Sequence, residues 1–176
     1  MRDRAIVSLI ENAETLYPIF SSILTVVKDV FLELSSDAKA SVANGIIALI
    51  KDRSHVMNVE LNLAYAVRVI AEYKSAATQE ILVGIYGNPK YSALVRRDVI
   101  LAMTKLGAWP WLSDQRISFR AMSPPERRAF IIASFALKDE GRHWRENLRR
   151  EFSPLEKLVR DWRASKTDQP AWVVPL

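Results

Sequence analysis

Apolar residues recur every three or four positions along almost the whole chain. No stretch alternates apolar with polar residues for long enough to make a half-buried strand. That period suits helices with one buried stripe each and argues against a sheet. The punctuation agrees. Glycine occurs only 5 times in 176 residues, and the prolines stand almost wholly where a helical pattern starts or stops. With 49% apolar residues the chain can bury a real core. An all-α fold of about eight or nine helices is expected.

The pattern predicts a first helix over residues 3–16. Pro18 suits the first turn of a second, running to 34 through Phe20, Ile23, Leu24, Val27 and Phe31. Ser35, Ser36 and Asp37 offer caps for a third, with Val42, Ile46, Ile47 and Ile50 inward. A polar loop over 52–58 precedes a fourth helix, 59–73, that buries Leu61 or Leu63 together with Ala66, Val67, Ile70 and Ala71. Ser75 begins a fifth. Gly87-Asn88-Pro89 is a break, because Pro89 disfavours helical dihedrals at Asn88. A sixth helix over 90–106 turns Tyr91, Leu94, Val95, Val99, Ala102 and Leu106 inward and ends at Gly107. Residues 109–120 read as irregular or 3₁₀. Ser123-Pro124-Pro125-Glu126 is a capping box opening a helix that is apolar nearly all round, hence the most buried element. Further helices are expected over 140–150 and from a second capping box, Ser153-Pro154-Leu155-Glu156. One domain over 1–165 with a tail over 166–176 follows.

Two segments repeat one theme. IIALIKD (46–52) followed by LNLAYAVRVIAEY (61–73) reads as helix, turn, helix, and so does EILVGIYG (80–87) followed by LVRRDVILAMTKLG (94–107). A Val-Arg pair, Val67-Arg68 and Val95-Arg96, opens the inner face of each second helix. The pattern resembles HEAT-type repeats, in which no helix pair buries its face alone and stacking makes the core. The alternative is an irregular compact bundle.

Candidate chemistry is sparse. The absence of cysteine excludes disulfides, thiolate metal sites and Cys nucleophiles. The chain has no glycine-rich phosphate loop, no G-x-S-x-G elbow and no HExxH helix. Glu140 and His143 are spaced i, i+3 as in di-iron bundles, but such sites need a second pair, and Asp52 with His55 falls in a loop. No catalytic residue, metal or cofactor is expected. The longest uncharged apolar run, 129–137, is well short of the roughly 20 residues of a membrane span. The stretch 5–10 is too short for a leader. A cytoplasmic location without membrane contact is expected.

Charge is the strongest functional hint. Residues 1–88 carry 8 Lys/Arg against 10 Asp/Glu, a net −2; residues 89–176 carry 17 against 10, a net +7. All 5 tryptophans also lie in the second half. A basic half with aromatic residues suits a polyanionic partner, because guanidinium groups fork onto phosphates and release counterions. Arg142, Arg145 and Arg149 share a helix face without an evident local partner, and Arg150 adds to them. Arg96 and Arg97 sit on the polar face of the sixth helix. Arg127 and Arg128 occupy a helix first turn, where the dipole disfavours cations, so Glu126, Asp139 or a bound anion is expected to compensate. These eight arginines are the candidate nucleic-acid contacts. Trp109 and Trp111 are candidates for stacking bases or for protein contact, or for plugging a gap between helices.

The second half also carries a family resemblance. VRRDVILAMTKLG, a Trp-rich break, then PPERRAFIIASFALKDEGRHWRENL resembles the α-helical C-terminal region of bacterial defence-associated reverse transcriptases, the abortive-infection and unknown-group enzymes. The likeness rests on Arg127 through Ser134 and Asp139 through Trp144, and spans about residues 75–164. It implies a helical region that accompanies a polymerase domain and cradles template, product or partner subunits. This chain has no Tyr-x-Asp-Asp metal-binding motif and no polymerase palm, so the resemblance implies a non-catalytic part, either a detached C-terminal portion or a separately encoded companion. Its partners would be RNA, single-stranded or hybrid DNA, and a reverse transcriptase or other protein subunit, with self-association also compatible.

Overall fold

The computed structural model describes residues 1–136 and Arg145. Eight α-helices fill the described residues: α1 (Arg2–Glu11), α2 (Phe20–Val30), α3 (Ser36–Lys51), α4 (Glu60–Ile70), α5 (Ala76–Gly87), α6 (Ala93–Lys105), α7 (Trp109–Gln115) and α8 (Pro124–Ala136). Short 3₁₀ turns at Tyr17–Ile19, Phe31–Glu33, His55–Asn58 and Arg116–Ala121 join them. The fold is all-α. The helices expected beyond residue 136, and the boundary between domain and tail, lie outside the described residues.

Local chemistry accounts for several helix ends. Ser35, Ser75 and Ser92 each turn a hydroxyl back onto an amide of the following turn. At Ser123 the Glu126 half of the capping box forms, with Glu126 Oε2 accepting the Ser123 amide at 3.0 Å. Gly107 ends α6 at φ +70°, a left-handed conformation that costs a residue without Cβ little.

Helices stack in two rows. α2, α4, α6 and α8 each pack on the next in one row, while α1, α3 and α5 do so in the other; α3 joins α4 and α5 joins α6 across the rows. In the first row α4 and α6 run parallel. Glu60 at the start of α4 accepts from Ser92 at the start of α6, and Glu72 just past the end of α4 accepts from Lys105 at the end of α6. This is the stacking of a helical repeat, and a single hydrophobic cluster runs through it from Ile6 to Ala133. Cross-links between stacked neighbours recur 30 to 33 residues apart.

Several expectations need correction. α1 stops at Glu11, and Pro18 lies in a 3₁₀ turn ahead of α2. Leu63 is buried and Leu61 exposed; Leu94, expected inward, is 49% exposed because Val95 holds the inward register at the start of α6. Trp109–Gln115 is α-helical. The loop after α3 hides Val56 and Met57 in a turn, and buried Asn62 donates to the Val56 carbonyl at 2.7 Å. The most enclosed helix is α6, which touches α4, α5, α7 and α8; the outer side of α8 carries Arg127 and Arg128. The two Val-Arg pairs also differ in register, Val95 opening α6 while Val67 lies past the middle of α4.

Candidate nucleic-acid interface

The arginines singled out by sequence meet different fates, decided by two buried carboxylates. Glu126, in the first turn of α8, has a side chain only 5% exposed. A carboxylate so placed needs a cation and hydrogen bonds to stay ionised. Arg96 supplies the cation, its Nε 2.9 Å from Oε1, and its Nη1 also donates to the Tyr91 carbonyl at 3.0 Å. The Ser123 amide and hydroxyl complete the shell. Arg96 is therefore a structural clasp between α6 and α8. Beside it, the Tyr86 phenol is pushed up to about 12, first by burial and then by Glu126, with Arg96 acting the other way.

Asp98 is deeper, its side chain 1% exposed on the α4 side of α6. Arg68 donates to Oδ2 through Nε and Nη2 at 3.0 and 2.7 Å. Arg97 donates to Oδ1 through Nε and Nη2 at 2.8 and 2.6 Å. One buried carboxylate thus holds two guanidinium groups, and Arg68 also lies over the Tyr65 ring at 5.2 Å. Arg97, placed by sequence on the polar face of the sixth helix as a candidate nucleic-acid contact, is bound to a neighbouring acid.

Arg127 and Arg128 differ. Glu126 is already committed to Arg96, and among the described residues neither arginine forms an ion pair. The compensation expected from Glu126 does not occur. Arg128 is exposed and Arg127 partly so. Arg145 donates to the Ser134 carbonyl and lies over the Phe135 ring at 5.0 Å. Arg142, Arg149 and Arg150 lie outside the described residues. Trp109 and Trp111 are half-buried against the core, Trp111 meeting Tyr86 edge-on at 5.0 Å.

Sequence reading did not single out Lys28, Arg68 and Lys105, which together with Glu72 and Asp98 line one recess of the α2–α4–α6 row. The usable signal was the 30-residue spacing shared by Arg68–Asp98 and Arg96–Glu126, about one repeat.

Comparison with protein-family models, curated proteins and solved structures finds no match to this chain. Among the described residues no three His, Asp or Glu side chains are grouped as a metal site, and no helix is long and apolar enough to cross a membrane.

Proposed function

We propose that the chain is a non-catalytic helical-repeat module that contacts single-stranded or hybrid nucleic acid through its basic second half, beside a bacterial reverse transcriptase in anti-phage defence. One observation carries the nucleic-acid contact. Arg127 and Arg128 hold two positive charges on α8 that no carboxylate among the described residues answers, in a first turn where the helix dipole opposes them. The upstream arginines Arg68, Arg96 and Arg97 all have acids. Residues 89–136 also hold 8 Lys/Arg against 3 Asp/Glu, a net +5. The association with a polymerase rests on the resemblance of PPERRAF and its surroundings alone.

The test is binding of labelled oligonucleotide across a salt series. Each cation on a single-strand phosphate adds about 0.7 to the slope of log affinity against log salt. Replacing Arg127 and Arg128 by Gln is expected to lower that slope by about 1.4. An unchanged slope removes these residues from the interface.

A second function, a protein-interaction scaffold, is favoured by Tyr17, Ile19, Val26 and Leu32, which leave exposed apolar surface on α2 and its flanking turns. Light scattering with and without nuclease separates the two. Self-association that survives nuclease supports the scaffold, and a mass that falls on nuclease treatment supports nucleic-acid contact.

A further inference from the structure

Charges that the fold leaves unanswered are not confined to α8. In the second row α1 and α3 lie side by side and point the same way. Asp3 in the first turn of α1 accepts the Ser35 amide just ahead of α3, and Glu14 beyond α1 accepts from Ser54 beyond α3. Their C-terminal ends therefore sit together. Between the helices α3 offers only small side chains, Gly45 and Ala48 among them, and a Cβ on Gly45 would stand 2.9 Å from Ile10 Cγ2. What remains is a groove of about 240 Å³, with Val7, Ile10 and Leu49 as its apolar wall and Glu11 and Asp52 on its border.

Both acids are electrostatically out of place. Glu11 is the last residue of α1 and Asp52 the C-cap of α3, and at that end of a helix the dipole favours cations. Both are exposed, and among the described residues neither forms an ion pair. Lys51 and Arg53 flank Asp52 in the sequence yet bridge neither acid. Nothing within the fold accounts for two carboxylates on one groove at this end.

Size and character select the occupant. The groove exceeds the roughly 30 Å³ of one water and falls below the roughly 300 Å³ at which small-molecule sites begin. An apolar wall that ends in negative charge suits a cation on an apolar stem, with methylenes along the wall and the head among the acids. The same charge repels phosphate.

We propose that the α1–α3 groove seats one arginine or lysine side chain of a partner protein, its stem along Val7, Ile10 and Leu49 and its charged head at Glu11 and Asp52. The site goes beyond the nucleic-acid contact and does not depend on it. The acidic half of the stack holds protein, and the basic half holds the polyanion.

Nuclear magnetic resonance of the isotope-labelled full chain, titrated with N-acetyl-arginine methylamide, tests this. Amide shifts at Val7, Ile10 and Ala48 are expected to move and saturate, while the uncharged citrulline analogue of the same shape moves them only weakly. Glu11→Gln combined with Asp52→Asn should lower the arginine affinity about fivefold, the share of two exposed ion pairs. That variant should melt at or above the wild-type temperature, because the dipole opposes the charges it removes. Ala48→Leu keeps both acids and helix propensity but narrows the groove, and should abolish saturation. No saturable shift, citrulline equal to arginine, or unchanged affinity in both variants overturns the proposal. Spermidine that matches arginine, with the same loss in the acid variant, assigns the groove to a free polyamine and also overturns it. The oligonucleotide salt slope should be unchanged by Glu11→Gln and Asp52→Asn, so the failure of either proposal is read separately from the other.

Discussion

Residues of one type play opposite parts here, and burial of the nearest carboxylate decides which. Arg96 and Arg128 are both arginines in the first half of a helix in the same row. Truncating Arg96 leaves Glu126 buried with only Ser123 for company. Breaking a buried pair costs about 3–5 kcal/mol, and the partial exposure of Arg96 brings the expected loss for Arg96→Ala to about 2–3 kcal/mol. Arg128→Ala should change stability by less than about 0.5 kcal/mol. Urea denaturation of the two variants checks the contrast, and equal losses would contradict it. Tyr86 gives a pH signature of the same cluster. Its phenol ionises near 10.0 in the unfolded chain and at about 12 when folded. Above the lower value the unfolded state gives up a proton that the folded state keeps, so stability is intact below 10 and falls as pH rises toward 12. The loss in urea midpoint between about pH 9 and about pH 11 is expected to shrink in Tyr86→Phe, because the titrating group is gone. An identical loss in both proteins would point to other groups.

Among the helices, two glycines make an internal control. Gly84 in α5 has nothing within 4 Å of where a Cβ would stand, so Gly84→Ala is expected to stabilise by about 0.5–1 kcal/mol through helix propensity. A Cβ on Gly45 in α3 would lie 2.9 Å from Ile10 Cγ2. Ile10 is buried and stiff at its branched carbon, so α1 and α3 would have to move apart. Gly45→Ala is expected to destabilise by about 1–3 kcal/mol. Thermal melts of both variants report the signs, and a stabilised Gly45→Ala would mean that α1 can shift freely. Helix existence was legible for seven of the eight described helices, because the 3.6 period and the serine caps are local. Boundaries were less so. α1 was drawn too long because Ala13 and Leu16 continue its apolar spacing, while the chain turns at Asn12 to reach α2. The Trp109–Gln115 helix was read as irregular or 3₁₀, yet Pro110 at its start fits a helix well.

For the whole molecule, the two-row stack makes stability a matter of neighbours. α6 touches four helices, whereas α1 rests chiefly on α3. Hydrogen exchange followed by mass spectrometry should find the slowest amides in α6 and the fastest helical amides in α1. Uniform protection across the stack would instead indicate one all-or-none unit. The sequence by itself determined the all-α class, the order of the described helices other than Trp109–Gln115, and the caps at Ser35, Ser75 and Gly107, since each depends on residues within a turn or two. It also placed the excess positive charge in the second half. Only the tertiary structure decided what the individual arginines do. Arg68 and Arg96 find their acids 30 residues downstream, at a distance set by how one repeat stacks on the next, and no local pattern encodes which carboxylate that stacking will bury.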